Sequence, residues 1–480
     1  VVFELLDEKL QEIIKKRFEK PTLPQELTIP KILEGKNVLL QAPVGTGKTE
    51  AGIFPVLHFI IRKKLKPIAA VYITPLRSLN RDLLDRLVWW CNELGIDIGV
   101  RHSDTTAYER KLQAEFPAHL LILTPETLQA ILPGKKMKKH LANVKFVIID
   151  ELHELVDSKR GVQLAIGLER LRELTGKFQV IGLSATIGSP EEVAKFISPR
   201  EEIEVVKVHF QKEFEIKVIS PKPKESDKKI ATKIFSSAET SARLKEIIQE
   251  VEKSRSTLIF TNTREFAEIL ASRIKTLKKD FPIEVHHSSL SRDVRMKVEK
   301  EFKQEKIKAL IATSSLELGI DIGAVEQVLQ YMSPRQVTQA IQRIGRSGHA
   351  VEKISKGKII ATDEDDVFES AVIARKALAG ELEKIKIYEK SLDVLAHQIV
   401  GLTLDFNRIS VEKAFEIVKR TYPYRNLSLD EFLAVCKQLE ELGLIWLNHE
   451  KICFNHNSYI HGPNFLSFFY SIGISGNNQI

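Results

Sequence analysis

Short apolar runs rich in β-branched residues recur along the first half of the chain: NVLLQA (37–42), AVYIT (70–74), LLILT (120–124), FVIID (146–150) and QVIGLS (179–184). Each gives way to polar residues and then to a segment whose apolar positions repeat every 3.6 residues. That alternation predicts βαβ units around a parallel sheet. The pattern breaks at SPKPKESDKKIATKIFSSAETS (220–241), which is polar, lysine-rich and punctuated by Pro and Ser, and reads as a linker or hinge. It resumes with TLIFT (257–261), IEVHH (283–287), KALIAT (308–313), EQVLQ (326–330) and KIIAT (358–362), so a second α/β domain is expected.

The texture changes again near residue 385. SLDVLAHQIVGLTL, SVEKAFEIVKR and SLDEFLAVCKQLEELG read as three helices. Ser428 and Glu431 are spaced as a capping box, and Gly443 stands where a helix should stop. LIWLNHEKICFN then reads as a hairpin. Three helices and a hairpin predict a winged helix; the plainer alternative is a helical cap on the second domain. The expected organisation is α/β domain 1 over 1–206, α/β domain 2 over 207–384, a winged-helix domain over 385–457, and an aromatic tail over 458–480 that reads as the start of a further domain. The N-terminal VVFELLDEKLQEIIKKRF is amphipathic with acids inside it, unlike a signal peptide, and the lack of an initial Met points to a trimmed chain.

Composition changes this picture little. At about 150 residues per domain, 480 residues fit roughly three domains. No apolar run reaches the roughly 18 residues of a membrane span. Three scattered cysteines, Cys91, Cys436 and Cys453, give neither a disulfide framework nor a zinc motif and point to a reducing, cytoplasmic setting. The net charge of +8 permits a polyanion partner. Heavy use of Lys, Glu and Ile with three Met is compatible with a thermophile.

Two stretches carry chemistry in the first half. APVGTGKT (Ala42, Pro43, Val44, Gly45, Thr46, Gly47, Lys48, Thr49) follows a predicted strand and opens a helix. Its glycines let backbone N–H groups face phosphates, Lys48 reaches the β- and γ-phosphates, and the Thr49 hydroxyl ligates Mg²⁺. IIDELHEL (148–155) ends another strand in acids: Asp150 is placed to hold Mg²⁺, and Glu151 to orient and deprotonate an attacking water. His153 beside this pair is expected to contact the second domain.

In the second half, QAIQRIGRSGHA (339–350) sets Arg343 and Arg346 three apart on one helical face. A P-loop domain leaves the γ-phosphate open, and a second domain could supply positive charge there; arginine suits that role through its planar fork. The alternative is a pair of exposed arginines, against which Gly345 and Gly348 argue by allowing close backbone approach. The lysine run GKKMKKH (134–140) reads as a solvated loop, and Trp89 and Trp90 as packing rather than base-stacking residues.

In order, TIPKILEGKNVLLQAPVGTGKTEA, TPLRSLNRDL, TPETL, DELHEL, GLSATIG, IFTNTR, HHSSLSR, ATSSLELGIDIG and QAIQRIGRSGH resemble the motifs of a superfamily 2 helicase of the large-helicase-related (Lhr) type. The resemblance covers roughly residues 18–350, and SLDVLAHQIVG (391–401) extends it to about 455. It implies two tandem RecA-like domains followed by a winged helix, with ATP and Mg²⁺ bound. Such proteins usually carry a further C-terminal domain.

Carried over by motif, Gln25 would read adenine. Ser184 and Thr186 would couple hydrolysis to domain motion, Gly319 and Asp321 would sit at the ribose and γ-phosphate side, and Gln342 would touch nucleotide or the DELH segment. Thr74, Arg77, Thr124, Thr263, Arg264 and Thr313 would contact strand phosphates, contacts blind to sequence; for any single threonine, strand-end capping is the alternative.

The resemblance implies single-stranded DNA as the tracking strand, 3′-to-5′ polarity, unwinding of DNA or RNA–DNA duplex, and no membrane partner. RNA is a second candidate: an RNA-dependent ATPase would carry nearly the same motifs. So would an ATP-controlled annealing clamp.

Overall fold

The runs of β-branched residues become strands buried on both faces, which is what a parallel sheet covered by helices requires. In a computed structural model of the protein, the described residues are 2–455 apart from 44, 76–80, 103–104, 209–212, 318–321, 324, 349–353 and 449. They fall into two compact units, 1–209 with 384 onward, and 210–383.

The first unit holds a seven-stranded parallel sheet of β1 (Asn37–Gln41), β2 (Ala70–Ile73), β3 (Ile98–Arg101), β4 (Leu120–Leu123), β5 (Phe146–Ile149), β6 (Gln179–Ser184) and β7 (Ile203–Lys207). Their order is β3-β4-β2-β5-β6-β1-β7. The second unit holds a six-stranded parallel sheet of β8 (Phe214–Ile219), β9 (Thr257–Phe260), β10 (Ile283–His286), β11 (Ala309–Ala312), β12 (Gln327–Tyr331) and β13 (Ser355–Ile360), ordered β10-β11-β9-β12-β13-β8. A small antiparallel sheet of β14 (Arg408–Ser410), β16 (Lys451–Phe454) and β15 (Ile445–Asn448) joins helices Leu392–Phe406, Val411–Lys419 and Leu429–Glu441. The architecture is thus two RecA-like parallel-sheet domains followed by a winged helix. Ser428 and Glu431 cap the last helix reciprocally, and Gly443 follows its end at φ +69°.

Two readings of the sequence are corrected. The segment 220–241 is not a linker: it contains helix Glu225–Lys233, whose Asp227 caps Lys224 N–H at 2.7 Å, and the start of helix Ala238–Lys253. Its lysines lie on the solvent side while Ala231 and Ile234 are buried. The lysine run is likewise helical (Lys135–Leu141), anchored by buried Met137 and Leu141. Trp90 packs edge-on against Phe54, with ring centroids 4.8 Å apart, as the packing reading expects. Among the described residues no helix is long and apolar enough to cross a membrane.

The winged helix is built onto the first sheet domain. Val162 and Ile166 of helix Lys159–Thr175 belong to the same apolar core as Val394, Leu395 and Phe432. The Arg170 guanidinium from that helix is fully buried. Its Nε and Nη2 donate to the two carboxylate oxygens of Asp405, at 2.6 and 2.9 Å, and Nη1 to Gln129 Oε1 (2.6 Å) and Gln398 Oε1 (3.0 Å). Burying a charge costs several kcal/mol unless its partner geometry is good; this fork-to-fork pair meets that condition. Gly401 makes room for it, since a Cβ there would stand 2.7 Å from Arg170 Nη1.

Candidate nucleotide site and strand contacts

The glycine-rich loop leaves the end of β1 beside β6, where Ala42 N–H donates to Ser184 O at 3.1 Å. Gly45 and Gly47 adopt φ of +81° and +79°, a region that side chains disfavour, and Lys48 opens helix Lys48–Arg62. Thr46 Oγ1 donates to Pro43 O at 2.8 Å, closing the loop on itself, and Thr49 is buried in the first helical turn. Gln25 is buried against the loop. Its Oε1 accepts from Thr22 N–H (3.0 Å), its Nε2 donates to Gly47 O (3.4 Å), and a Cβ on Gly47 would stand 2.6 Å from that nitrogen. Both ends of the Gln25 amide therefore brace the loop.

The acidic pair follows β5. Asp150 Oδ2 accepts from Tyr72 OH at 2.5 Å and Oδ1 from Glu151 N–H at 2.9 Å. Burial, with the Glu151 charge adding, lifts the Asp150 carboxyl above its ordinary range, and Lys48 opposes the rise. Burial and then Asp150 push the Tyr72 phenol up, so its hydroxyl keeps the proton it donates. Glu151 sits at φ +46°, a strained conformation for a residue with a side chain.

Around this turn three buried polar atoms have no hydrogen-bond partner: Lys48 Nζ, Glu151 Oε2 and His153 Nε2. Glu151 Oε2 lies 3.8 Å from Lys48 Nζ and 3.5 Å from His153 Nε2, near enough for attraction but too far to bond. Leaving such atoms unmet costs about 1–3 kcal/mol each, so a cluster of them marks a place a ligand completes.

His153 Nδ1 accepts from Ala185 N–H at 3.2 Å and stands 3.5 Å from Ser184 Oγ. Burial pushes its imidazole down to about 3, with Lys48 adding. The ring is neutral with its proton on Nε2, turned toward Glu151. His153 thus ties the acidic pair to Ser184–Ala185 within its own unit. Thr186, next along, is half-buried.

In the second unit, Arg343 is buried at the end of helix Val337–Ile344. Nε donates to Glu317 Oε1 (2.6 Å), Nη1 to Asn262 Oδ1 (3.1 Å) and Gln330 Oε1 (2.9 Å), and Nη2 to Gln339 Oε1 (3.2 Å). Every guanidinium nitrogen is engaged inside the unit. Arg346 donates through Nη2 to the Glu317 carbonyl, so both arginines converge on Glu317. Neither is a surface arginine. Gly345 is needed for its own helix: a Cβ would stand 2.6 Å from Ile341 O. Gln342 is half-buried.

The strand-contact threonines divide by what their hydroxyls do. Thr124 Oγ1 accepts from Thr127 N–H (3.3 Å) and Thr263 Oγ1 from Phe266 N–H (3.2 Å), so both cap helices. Thr74 is buried at the end of β2. Thr313 precedes a short 3₁₀ turn without a side-chain cap bond. Arg264 is exposed, its Nη1 on Ser289 Oγ at 2.6 Å. Val44, Arg77, Gly319 and Asp321 lie outside the described residues.

Three residues of these sites went unread in the sequence: Tyr72, Glu317 and Gln330. Tyr72 carried a usable signal, because a tyrosine within an apolar central strand needs a partner for its hydroxyl. Glu317, a lone acid in SSLELG, carried a weaker one.

Family models match in chain order: DEAD/DEAH box helicase over 22–194, helicase conserved C-terminal domain over 239–351, and the winged-helix domain of large helicase-related proteins over 375–443. The chain is 39% identical to ATP-dependent helicase Lhr-Core protein 2 of Thermococcus barophilus and 40% identical to ATP-dependent helicase Lhr-Core of Methanocaldococcus jannaschii, each over 94% of its own length and 55% of the relative's. It therefore spans about half the length of these curated relatives. Its fold matches that of Mycobacterium smegmatis helicase Lhr bound to ssDNA and AMP-PNP with a TM-score of 0.82 at 30% identity, over 95% of this chain and 61% of that one. With the glycine-rich loop, the DELH turn and the arginine helix standing on two RecA-like sheets ahead of that winged helix, the chain belongs to the Lhr family of superfamily 2 helicases.

Proposed function

We propose that this chain is an ATP-driven translocase that tracks 3′-to-5′ on single-stranded DNA and unwinds DNA or RNA–DNA duplex. The observation that carries this reading is the cluster of unmet buried atoms, Lys48 Nζ, Glu151 Oε2 and His153 Nε2, beside a glycine loop in left-handed conformation. A cation, an acceptor and a donor left open at a phosphate-type loop fit a nucleoside triphosphate and its attacking water.

In this reading the 42–49 loop and Lys48 hold the phosphates. Thr49 and Asp150, an oxygen-only pair of the kind magnesium takes, would hold Mg²⁺. When bound, that ion neutralises phosphate charge. Glu151 orients the water and accepts its proton, with His153 fixing the carboxylate and passing its position to Ser184–Thr186. Arg346, with Gln342 beside it, acts on the departing phosphoryl group. Thr74, Arg77, Thr124, Thr263, Arg264 and Thr313 contact the strand through its phosphates.

The single-stranded DNA and AMP-PNP of the mycobacterial relative support DNA over RNA as the track. The test is unwinding of 3′- and 5′-tailed duplexes with DNA or RNA as the tailed strand. Unwinding confined to 3′-DNA tails is expected. Selective unwinding on RNA tails would replace this reading with RNA remodelling, and annealing without displacement would replace it with a clamp.

A further inference from the structure

The adjacent strands β2 and β4 end in the same dipeptide, Thr74-Pro75 and Thr124-Pro125, with Ile73 and Leu123 in register. One side chain holds both ends. Arg160 donates through Nη2 to Pro75 O (2.5 Å) and to Glu126 Oε2 (3.2 Å), and through Nε to Glu126 Oε1 (2.5 Å). The Glu126 side chain is 2% exposed. Burial alone would raise its carboxyl; Arg160 overrides that and holds it below the usual range.

Arg160 is itself tied to the acidic turn. It lies in the first turn of helix Lys159–Thr175, which starts just beyond helix His153–Val156. The turn between them admits no slack. Ser158 Oγ donates to Leu155 O at 2.7 Å, Gly161 N–H donates to Ser158 Oγ at 3.3 Å, and a Cβ on Gly161 would stand 2.0 Å from Leu155 O. The DELH segment, through this turn, therefore fixes where the guanidinium sits, and the guanidinium fixes the two Thr-Pro segments.

We infer that Arg160 is a positioning residue that couples strand binding at the Thr74 and Thr124 segments to the DELH turn, without touching nucleotide or strand. The inference rests on the proposed ATP-driven translocase, whose turnover bound strand is taken to raise. Bound strand, by shifting either Thr-Pro segment, acts on Arg160 and through it on the placement of Glu151 and His153. The reverse path carries a change at the acidic turn to the strand contacts.

The test uses the full chain and its ATPase, measured against increasing oligo-dT and without it. For Arg160→Ala, the concentration of oligo-dT giving half-activation should rise about tenfold or more, the scale of one lost charge-assisted hydrogen bond to a buried acid. ATPase without strand and the KM for ATP should stay within about twofold. Glu126→Gln keeps the shape of the contact and removes its charge, so it should shift half-activation in the same direction with less disturbance of folding. Arg160→Lys restores a cation but not the three-point fork, and should fall between.

A parallel loss of strand-free and strand-activated turnover, tracking a lowered Tm, would overturn the inference in favour of a purely structural clamp. So would an unchanged half-activation in folded Glu126→Gln. If the wild-type chain shows no activation by oligo-dT or by oligo-U and binds neither, the proposed function fails and this inference with it. Wild-type activation with insensitive variants overturns the inference alone.

Discussion

The two RecA-like units share a sheet architecture and treat their charged site residues in opposite ways. In the first, Lys48, Glu151 and His153 are buried with polar atoms unmet. In the second, Arg343 is equally buried and has a partner for every nitrogen. An unmet buried charge destabilises the empty protein and is relieved by ligand; a met one stabilises the protein as it stands. The first cluster is shaped for something that arrives, whereas Arg343 already has its ligand in Glu317. The two arginines of QRIGR both converge on Glu317, Arg343 on its carboxylate and Arg346 on its backbone carbonyl.

The sharpest break of this comparison is Lys48→Ala. ATP turnover should fall at least about 10³-fold, as when a preorganised charge is removed from a transition state. The Tm of the nucleotide-free chain should fall much less than in Arg343→Ala, because the ammonium makes no hydrogen bond and its attraction to Glu151 acts across 3.8 Å. A drop of several degrees would mean that Lys48 is a structural residue like Arg343.

Arg343→Ala should do the reverse. It leaves the Glu317 carboxylate buried without its cation, which costs about 3 kcal/mol of folding stability in urea titration. Arg346→Ala should lower turnover by about 10²-fold, discounted from the usual worth of an arginine finger. Unchanged turnover in folded Arg346→Ala would remove that residue from the nucleotide site.

His153→Ala removes the acceptor for Ala185 N–H, a bond worth about 1–2 kcal/mol. Strand-activated turnover should drop about tenfold while ATP affinity, read by fluorescent-analogue titration, holds. If affinity falls with it, His153 holds nucleotide directly.

The smallest effect separates two threonines. Thr263→Ala should cost about 1 kcal/mol of stability as a lost helix cap. Thr313→Ala should cost a few tenths at most, since it has no cap bond. Both should weaken oligo-dT binding in anisotropy titrations; a variant that changes stability alone marks its threonine as a cap and nothing more.

Much of the fold is legible in the chain itself. Most central strands are buried along nearly their whole length, so their apolar runs stand out in the sequence; β13, where Lys356 is exposed, is apolar only at its end. Three strands do not stand out: Ile98–Arg101, Ile203–Lys207 and Phe214–Ile219 all lie at sheet edges and are half-buried for most of their length. Their sequences IGVR, IEVVK and FEIKVI carry the charges that edges use to avoid further pairing.

The site divides the same way. GKT and DELH are readable because the phosphate loop needs particular backbone conformations and the chemistry needs particular groups in succession. Tyr72, Glu317 and Arg160 are not, because each is defined by a partner 78, 26 and 85 residues away, respectively. For Gln25 the motif names a ligand, whereas the structure adds a local role in bracing Gly47.

The joint between helix Lys159–Thr175 and the winged helix has a consequence in time. Arg170 meets Gln398 across 228 residues of chain, and the whole second unit lies between them. At ribosomal rates of about 5–20 residues per second, the first lobe waits on the order of ten to forty seconds for its missing piece. During that interval Val162 and Ile166 face water and the Arg170 guanidinium lacks Asp405. A nascent chain at this stage is a natural client for chaperones, and a gene cut before residue 384 should yield an aggregation-prone lobe unless Val162 and Ile166 are made polar together.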